Sequence, residues 1–207
     1  MSSYAVFDSS ELDRLARDYG LSSEAAKRAL SETINHFANV TLNESVMRIG
    51  KELNLTEAYI RGKISVSTKS KPKTLEAIVS ANVRPLLLSR FDPIQHFKTG
   101  KTKGAVPNGV SIKVKANGGR SHMQSGFMIP LKRGREGGAG AKGLAVRPPP
   151  GMKLSPSAQR EVNKRGFAIL HGPSVDQVFR TLLPDLAPSG EEMMLHLLDL
   201  LEKEANA

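Results

Sequence analysis

Five histidines and ten lysines and arginines crowded between Lys98 and Lys142 are the chemically capable side chains of this 207-residue sequence. The histidines, His36, His96, His122, His171 and His196, lie far apart. None has a histidine or carboxylate partner at ligand spacing on one helix face, and Pro93 turns Asp92 and His96 into loop neighbours. A metal site is not expected from that scatter. The chain has no cysteine, which excludes a thiol nucleophile, a thiolate metal site and a disulfide framework. Gly100-Lys101-Thr102 invites a phosphate-loop reading, but Gln95 stands where the motif requires its first glycine, and no helix pattern follows. Gly137 to Lys142 fails the same test, and no Gly-x-Ser-x-Gly elbow is present. Between residues 61 and 165 the only carboxylates are Glu76, Asp92, Glu136 and Glu161, too dispersed for a paired-carboxylate mechanism. No catalytic constellation, cofactor or enzymatic activity is expected.

Charge is the feature that remains. Residues 1–60 hold 6 Lys+Arg against 9 Asp+Glu, residues 61–165 hold 22 against 4, and residues 166–207 hold 2 against 7. The basic middle either faces a polyanion or an acidic partner surface, or consists of solvated loops that maintain solubility. Its candidate partner- or DNA-facing residues are Lys98, Lys101, Lys103, Lys113, Lys115, Arg120, Lys132, Arg133, Arg135 and Lys142. Only Phe91, Phe97 and Phe127 lie among them, so stacking on bases is poorly served. Any nucleic acid would be held through phosphates, with steep salt dependence and no sequence preference. No apolar run approaches the roughly 18 residues of a membrane span, and Met1 to Glu11 lacks the basic and apolar regions of a secretory signal. The expectation is a soluble, intracellular or particle-borne protein with no membrane partner.

The elements that must position these residues follow from periodicity. Asp8 and Glu11 open a short helix. Ser22 or Ser23 caps a long one over residues 22–53, with Ala26, Leu30, Ile34, Phe37 and Val40 and then Val46, Ile49 and Leu53 along one face. Alternation over residues 64–68 and 75–81 predicts two strands, and residues 85–91 a third. Residues 92–109 read as a long loop. Val110, Ile112 and Val114 alternate with Ser111, Lys113 and Lys115 before the Asn117-Gly118-Gly119 turn, and residues 123–131 are expected as the returning strand. Residues 132–143 are glycine-rich, 144–146 form a short strand, and 152–165 are a loop or short helix. Ser174 caps a closing helix over 174–183 that stops at Pro184, and Ser189 caps a last amphipathic one. Its stripe Met193, Met194, Leu197, Leu198 and Leu201 either packs on the chain's own core or offers Met194, Leu197, Leu198 and Leu201 to another subunit. The fold class is α+β: N-terminal helices, a central antiparallel sheet over 64–147 with long basic loops, and C-terminal helices. One domain is expected over residues 1–183, with 184–207 as an appended helix.

Several segments in order carry a resemblance. Ala25-Ala26-Lys27-Arg28-Ala29-Leu30 with Thr33-Ile34-Asn35 is followed by Ile60-Arg61-Gly62-Lys63-Ile64, then Leu75-Glu76-Ala77-Ile78-Val79 and Pro85-Leu86-Leu87-Leu88-Ser89-Arg90-Phe91. Val110-Ser111-Ile112-Lys113-Val114, Gly126-Phe127-Met128 and His171-Gly172-Pro173-Ser174-Val175-Asp176-Gln177-Val178-Phe179 complete the series. Together, over residues 20–182, they resemble the minor tail protein Z family of long-tailed bacteriophages and prophages. The resemblance implies a structural tail completion protein in the neck, at the head-proximal end of a siphophage tail. It also implies a ring, with six-fold assembly the natural expectation, and partners among the tail terminator, head–tail connector and tail tube. The location implied is the virion, after assembly in the bacterial cytoplasm. The family supplies no catalytic residues or cofactor, and residues 189–205 lie outside the matched part. The basic loops 92–109 and 132–151 would then order on assembly or face the DNA passing the neck. The alternative reading is a free-standing, sequence-independent nucleic-acid-binding protein.

Overall fold

The computed structural model describes residues 17–19, 22–99, 104–131, 141–148, 151 and 155–206. The chain is an α+β protein with this order: helices α1 (Ser23–Glu52) and α2 (Glu57–Arg61); strands β1 (Ile64–Thr68) and β2 (Ile78–Ala81); a 3-10 turn, Leu88–Arg90; strands β3 (Ile94–Thr99), β4 (Ala105–Ile112), β5 (Ser121–Met123), β6 (Gly126–Pro130) and β7 (Lys142–Val146); helix α3 (Pro156–Arg165); strand β8 (Ala168–Ile169); and helices α4 (Val175–Leu186) and α5 (Gly190–Ala205). Among the described residues the strands pair as three antiparallel sheets, β1-β2, β3-β4-β5 and β6-β7-β8, in place of the one central sheet expected.

Two compact units divide the chain. The first comprises residues 1–49, 57–83 and 175–207, and the second residues 50–56 and 84–174. This division differs from the expected 1–183 and 184–207, because α5 supplies core to the first unit. There Leu197 and Leu201, both fully buried, pack against Ala26, Ala29 and Leu30 of α1, with Ile34, Leu75, Met194 and Leu200 around them. The alanines leave room for the leucines, the large-into-small fit that close helix packing needs. Leu197 and Leu201 are thereby occupied within their own chain and are not free for subunit packing; Met194 lies against the same cluster and Leu198 is half-buried. Local signals start both helices. The Ser22 hydroxyl accepts the Ala25 amide at 3.2 Å, and Ser189 with Glu192 forms a reciprocal capping box. α4 runs on through Pro184 to Leu186, whose buried side chain anchors the final turn. The expected stripe along α1 breaks at Val40, which is exposed. The expected strand over 75–81 starts only at Ile78. The preceding turn hydrogen-bonds the amides of both Thr74 and Leu75 to the Lys71 carbonyl and puts Leu75 at φ +45°, which no strand residue adopts.

The second unit is built on strands. Val110, Ile112 and Leu144 form its buried cluster, joined by Leu88, Val114, Met123, Met128 and Leu170. The expected strand at residues 85–91 is reduced to a bridge, Leu87 opposite His171, followed by the 3-10 turn and the fully buried Phe91. Gly172 lets that segment approach closely, since a Cβ there would lie 3.0 Å from Leu88 and Phe91 side-chain atoms. The expected hairpin partner of β4 is split: β5 pairs with Val110–Ile112, then β6 leaves to pair with β7. Pairing beyond Ile112 is lost to the segment after α1, because the Asn54 amide donates to Val114 O and the Ala116 amide to Glu52 O. Residues 156–165 are the short helix of the two options left open. Ser155 caps it, Pro156 sits in its first turn, and Gly166 ends it at φ 74°. The Asp8–Glu11 helix start lies outside the described residues.

Candidate interaction surface

Residues 92–109, expected as loop, contain β3 and the first half of β4. Two features build this hairpin. Between the pairs Gln95↔Val110 and Phe97↔Pro107, β3 spends one residue while β4 spends two, Asn108 and Gly109. That bulge needs glycine: Gly109 has φ +87°, and a Cβ would stand 2.6 Å from the Met123 carbonyl oxygen. Gln95 then secures it, its side-chain amide donating to Gly109 O at 2.8 Å and accepting the Met128 amide of β6 at 2.9 Å. One glutamine thus clips the two sheets of the second unit together.

Past the bulge the hairpin continues beyond the reach of β5. Phe97, Lys98 and Thr99 pair with Pro107, Val106 and Ala105, and all six are exposed. Phe97 is 60% exposed and Val106 43%. Of the three aromatics weighed as stacking platforms, Phe97 alone is open, since Phe91 is buried and Phe127 meets Phe167 edge-to-face with the Arg147 guanidinium over its ring.

The ten basic candidates do not gather at one place. Lys98 lies on the arm. Lys113 and Lys115 follow the other end of β4, about 20 Å or more away at ~3.3 Å per residue. Lys113 is half-buried, its amide bonded to Phe91 O, while Lys115 is exposed. Lys142 is exposed at the start of β7, opposite Pro130. Arg120, expected to face a partner, is instead engaged within its own unit: its guanidinium pairs with the Asp92 carboxylate and donates to Asp92 O at 2.8 Å. Lys101, Lys103, Lys132, Arg133 and Arg135 lie outside the described residues.

Sequence reasoning leaves the histidines scattered, and folding pairs four of them. His96 Nε2 and His122 Nδ1 both meet the buried Ser111 Oγ, at 2.7 and 3.1 Å, with ring centroids 5.1 Å apart. The β4 register predicts that meeting once known, because Ser111 lies opposite His122 and shares its face with Ile94, two residues before His96. Ser111 can donate one proton and must receive the other imidazole's N–H. No carboxylate hydrogen-bonds either ring among the described residues, so the third member of an acyl-transfer triad is missing there. In the first unit His36 stacks on His196 at 4.3 Å, and His196 Nδ1 lies 3.3 Å from Thr33 Oγ1. Burial, and then the neighbouring His36, lower the His196 pKa below its ordinary 6.5, against smaller raising effects of Asp199 and Glu32. No group of three metal-ligating side chains occurs among the described residues. None of their helices is long and apolar enough to cross a membrane. Compared with protein-family models, curated proteins and solved structures, the chain matches none.

Proposed function

We propose that this chain is a structural protein of a long-tailed bacteriophage, a tail completion component at the head-proximal neck that supports head–tail joining and DNA passage. The observation that carries the reading is the division of charge between the compact units. The first holds 12 Lys+Arg against 16 Asp+Glu, the second 18 against 4. A ring subunit meets its neighbours through two different surfaces, and a heterologous contact that closes is favoured when those surfaces are electrostatically complementary. An acidic unit and a basic unit on each copy supply such a pair. The ordered series of segments resembling the minor tail protein Z family points the same way, with a ring of six copies, virion location and the tail terminator, connector and tail tube as neighbours.

The test is genetic and structural. Deleting the reading frame from the phage or prophage that carries it should leave full heads and tails that fail to join, and expression in trans should restore particles. Normal, infectious virions lacking the chain would refute the proposal. The second reading, a sequence-independent nucleic-acid binder, is favoured by the exposed Phe97 beside Lys98 on a strongly basic unit. It requires tight binding to bare duplex that weakens steeply with salt.

A further inference from the structure

We infer that the β3–β4 arm of one copy docks on the outward, acid-ringed face of α5 in a second copy of this chain. The inference rests on the ring reading above and names the interface within it. The arm is the starting point. A two-stranded hairpin is marginal in water unless a face of it is covered. Here all six paired residues from Phe97 to Thr99 and Ala105 to Pro107 are exposed, and Phe97 and Val106 lie on opposite faces of the ribbon by register. Ile94, 43% exposed, extends the Val106 face toward the sheet. The arm therefore presents apolar surface on both sides, with Lys98 paired to Val106, on a unit of large positive excess.

The complementary surface is on α5. Leu195 is 62% exposed, on the side away from the buried Met193, Leu197 and Leu201. One helical turn before it stand Glu191 and Glu192, one turn after it Asp199, and two turns after it Glu202, all exposed. Asp199 is paired with Lys203 and Glu192 closes the capping box, which leaves Glu191 and Glu202 beside the exposed leucine. Their counterpart is the arm face that carries Val106, Ile94 and Lys98 together. Apolar anchors would meet at the centre and opposite charges at the rim, the usual anatomy of a specific interface. Because the arm belongs to the second unit and α5 to the first, the contact is heterologous and can propagate from copy to copy until it closes.

The absence of cysteine makes the test clean. Full-length V106C and L195C proteins are prepared separately, mixed and oxidised, with I94C and E191C as a second pair. The expected result is a mixed disulfide between the two variants that neither forms alone, and a ladder from the V106C/L195C double variant ending at one closed species. Val106→Asp should weaken self-association by at least about tenfold, as for a central anchor, and the Lys98→Glu, Glu191→Lys pair should regain affinity that Lys98→Glu alone loses. An oligomer by light scattering in which neither pair cross-links overturns this interface and leaves the tail reading standing. A protein that is monomeric at every concentration and cross-links in neither pair overturns it too. The tail reading is then judged by the deletion phenotype alone.

Discussion

The two units treat their charges in opposite ways. In the first, cations are answered locally along helices: Arg48 pairs with Glu44, Arg61 with Glu57, Arg180 with Asp176 and Lys203 with Asp199, each four residues apart. In the second, Arg120 reaches Asp92 across 28 residues of sequence, and 4 carboxylates stand against 18 cations. Helical spacing lets a short acidic segment neutralise itself. A strand-built unit so poor in carboxylates cannot, and most of its excess is available only to an anionic surface outside the unit. That contrast, more than any single side chain, supports reading this chain as a component of an assembly.

The contrast can be broken at its cores. Leu197→Ala or Leu201→Ala removes a fully buried leucine from the α1–α5 packing and should destabilise the first unit by about 2–5 kcal/mol. Hydrogen exchange should then accelerate at α1 and α5 amides while those around Val110 and Leu144 stay protected. Equal loss in both units would mean that they unfold as one body. The reciprocal lesion is Gly109→Ala, which forces a side chain onto φ +87° and against the Met123 carbonyl. A cost of about 1–3 kcal/mol confined to the second unit is expected, read from its denaturation midpoint. Gln95→Leu should cost a similar or slightly smaller amount, about 1–3 kcal/mol, by stranding Gly109 O and the Met128 amide. An unchanged midpoint would show that water satisfies both groups.

Charge reversal probes the surface of the basic unit. Under the nucleic-acid reading, Lys98→Glu and Lys115→Glu should each reduce the salt dependence of duplex binding, by about 0.9 in the slope of log K against log salt for each phosphate no longer neutralised. Under the assembly reading, Lys98→Glu weakens self-association instead. Arg120→Glu should act mainly on stability, because Arg120 serves Asp92. The smallest effect is titration in the first unit. With the folded His196 pKa below 6.5, the unfolded chain takes up its proton first as pH falls. Stability is therefore full above 6.5 and declines from there toward the folded pKa, with burial and His36 opposing the imidazolium and Glu32 and Asp199 partly supporting it. Replacing His196 with glutamine should flatten that decline in a melting series across pH.

What the sequence makes legible and what it hides follow the same division. α1, α4 and α5 are readable because their period and caps are local: Ser22, Ser189 with Glu192, and the Leu197–Leu201 repeat act within a few residues. The strand-built unit is readable only in part. Alternation at Val110–Ile112 and the apolar run Leu144–Val146 mark two strands, but β3 carries Gln95, His96 and Lys98, polar residues whose strand state depends on pairing with β4. A bulge set by Gly109 and a side-chain clip set by Gln95 are long-range facts with no periodic signature. The His96–Ser111–His122 meeting is of the same kind, since it follows from the register of three strands. Of the basic candidates, Lys98, Lys115 and Lys142 are exposed, whereas Arg120 is taken up by an ion pair that no spacing announces.

On the proposal made above, the split of charge between the units joins copies of this chain. The most direct test is the molar mass in solution, by light scattering at low and high salt, with and without duplex DNA. A discrete multi-chain species is expected at low salt, unchanged by DNA and falling toward one chain as salt rises. A chain that stays monomeric at every salt concentration, yet binds bare duplex tightly and releases it as salt increases, would contradict the proposal.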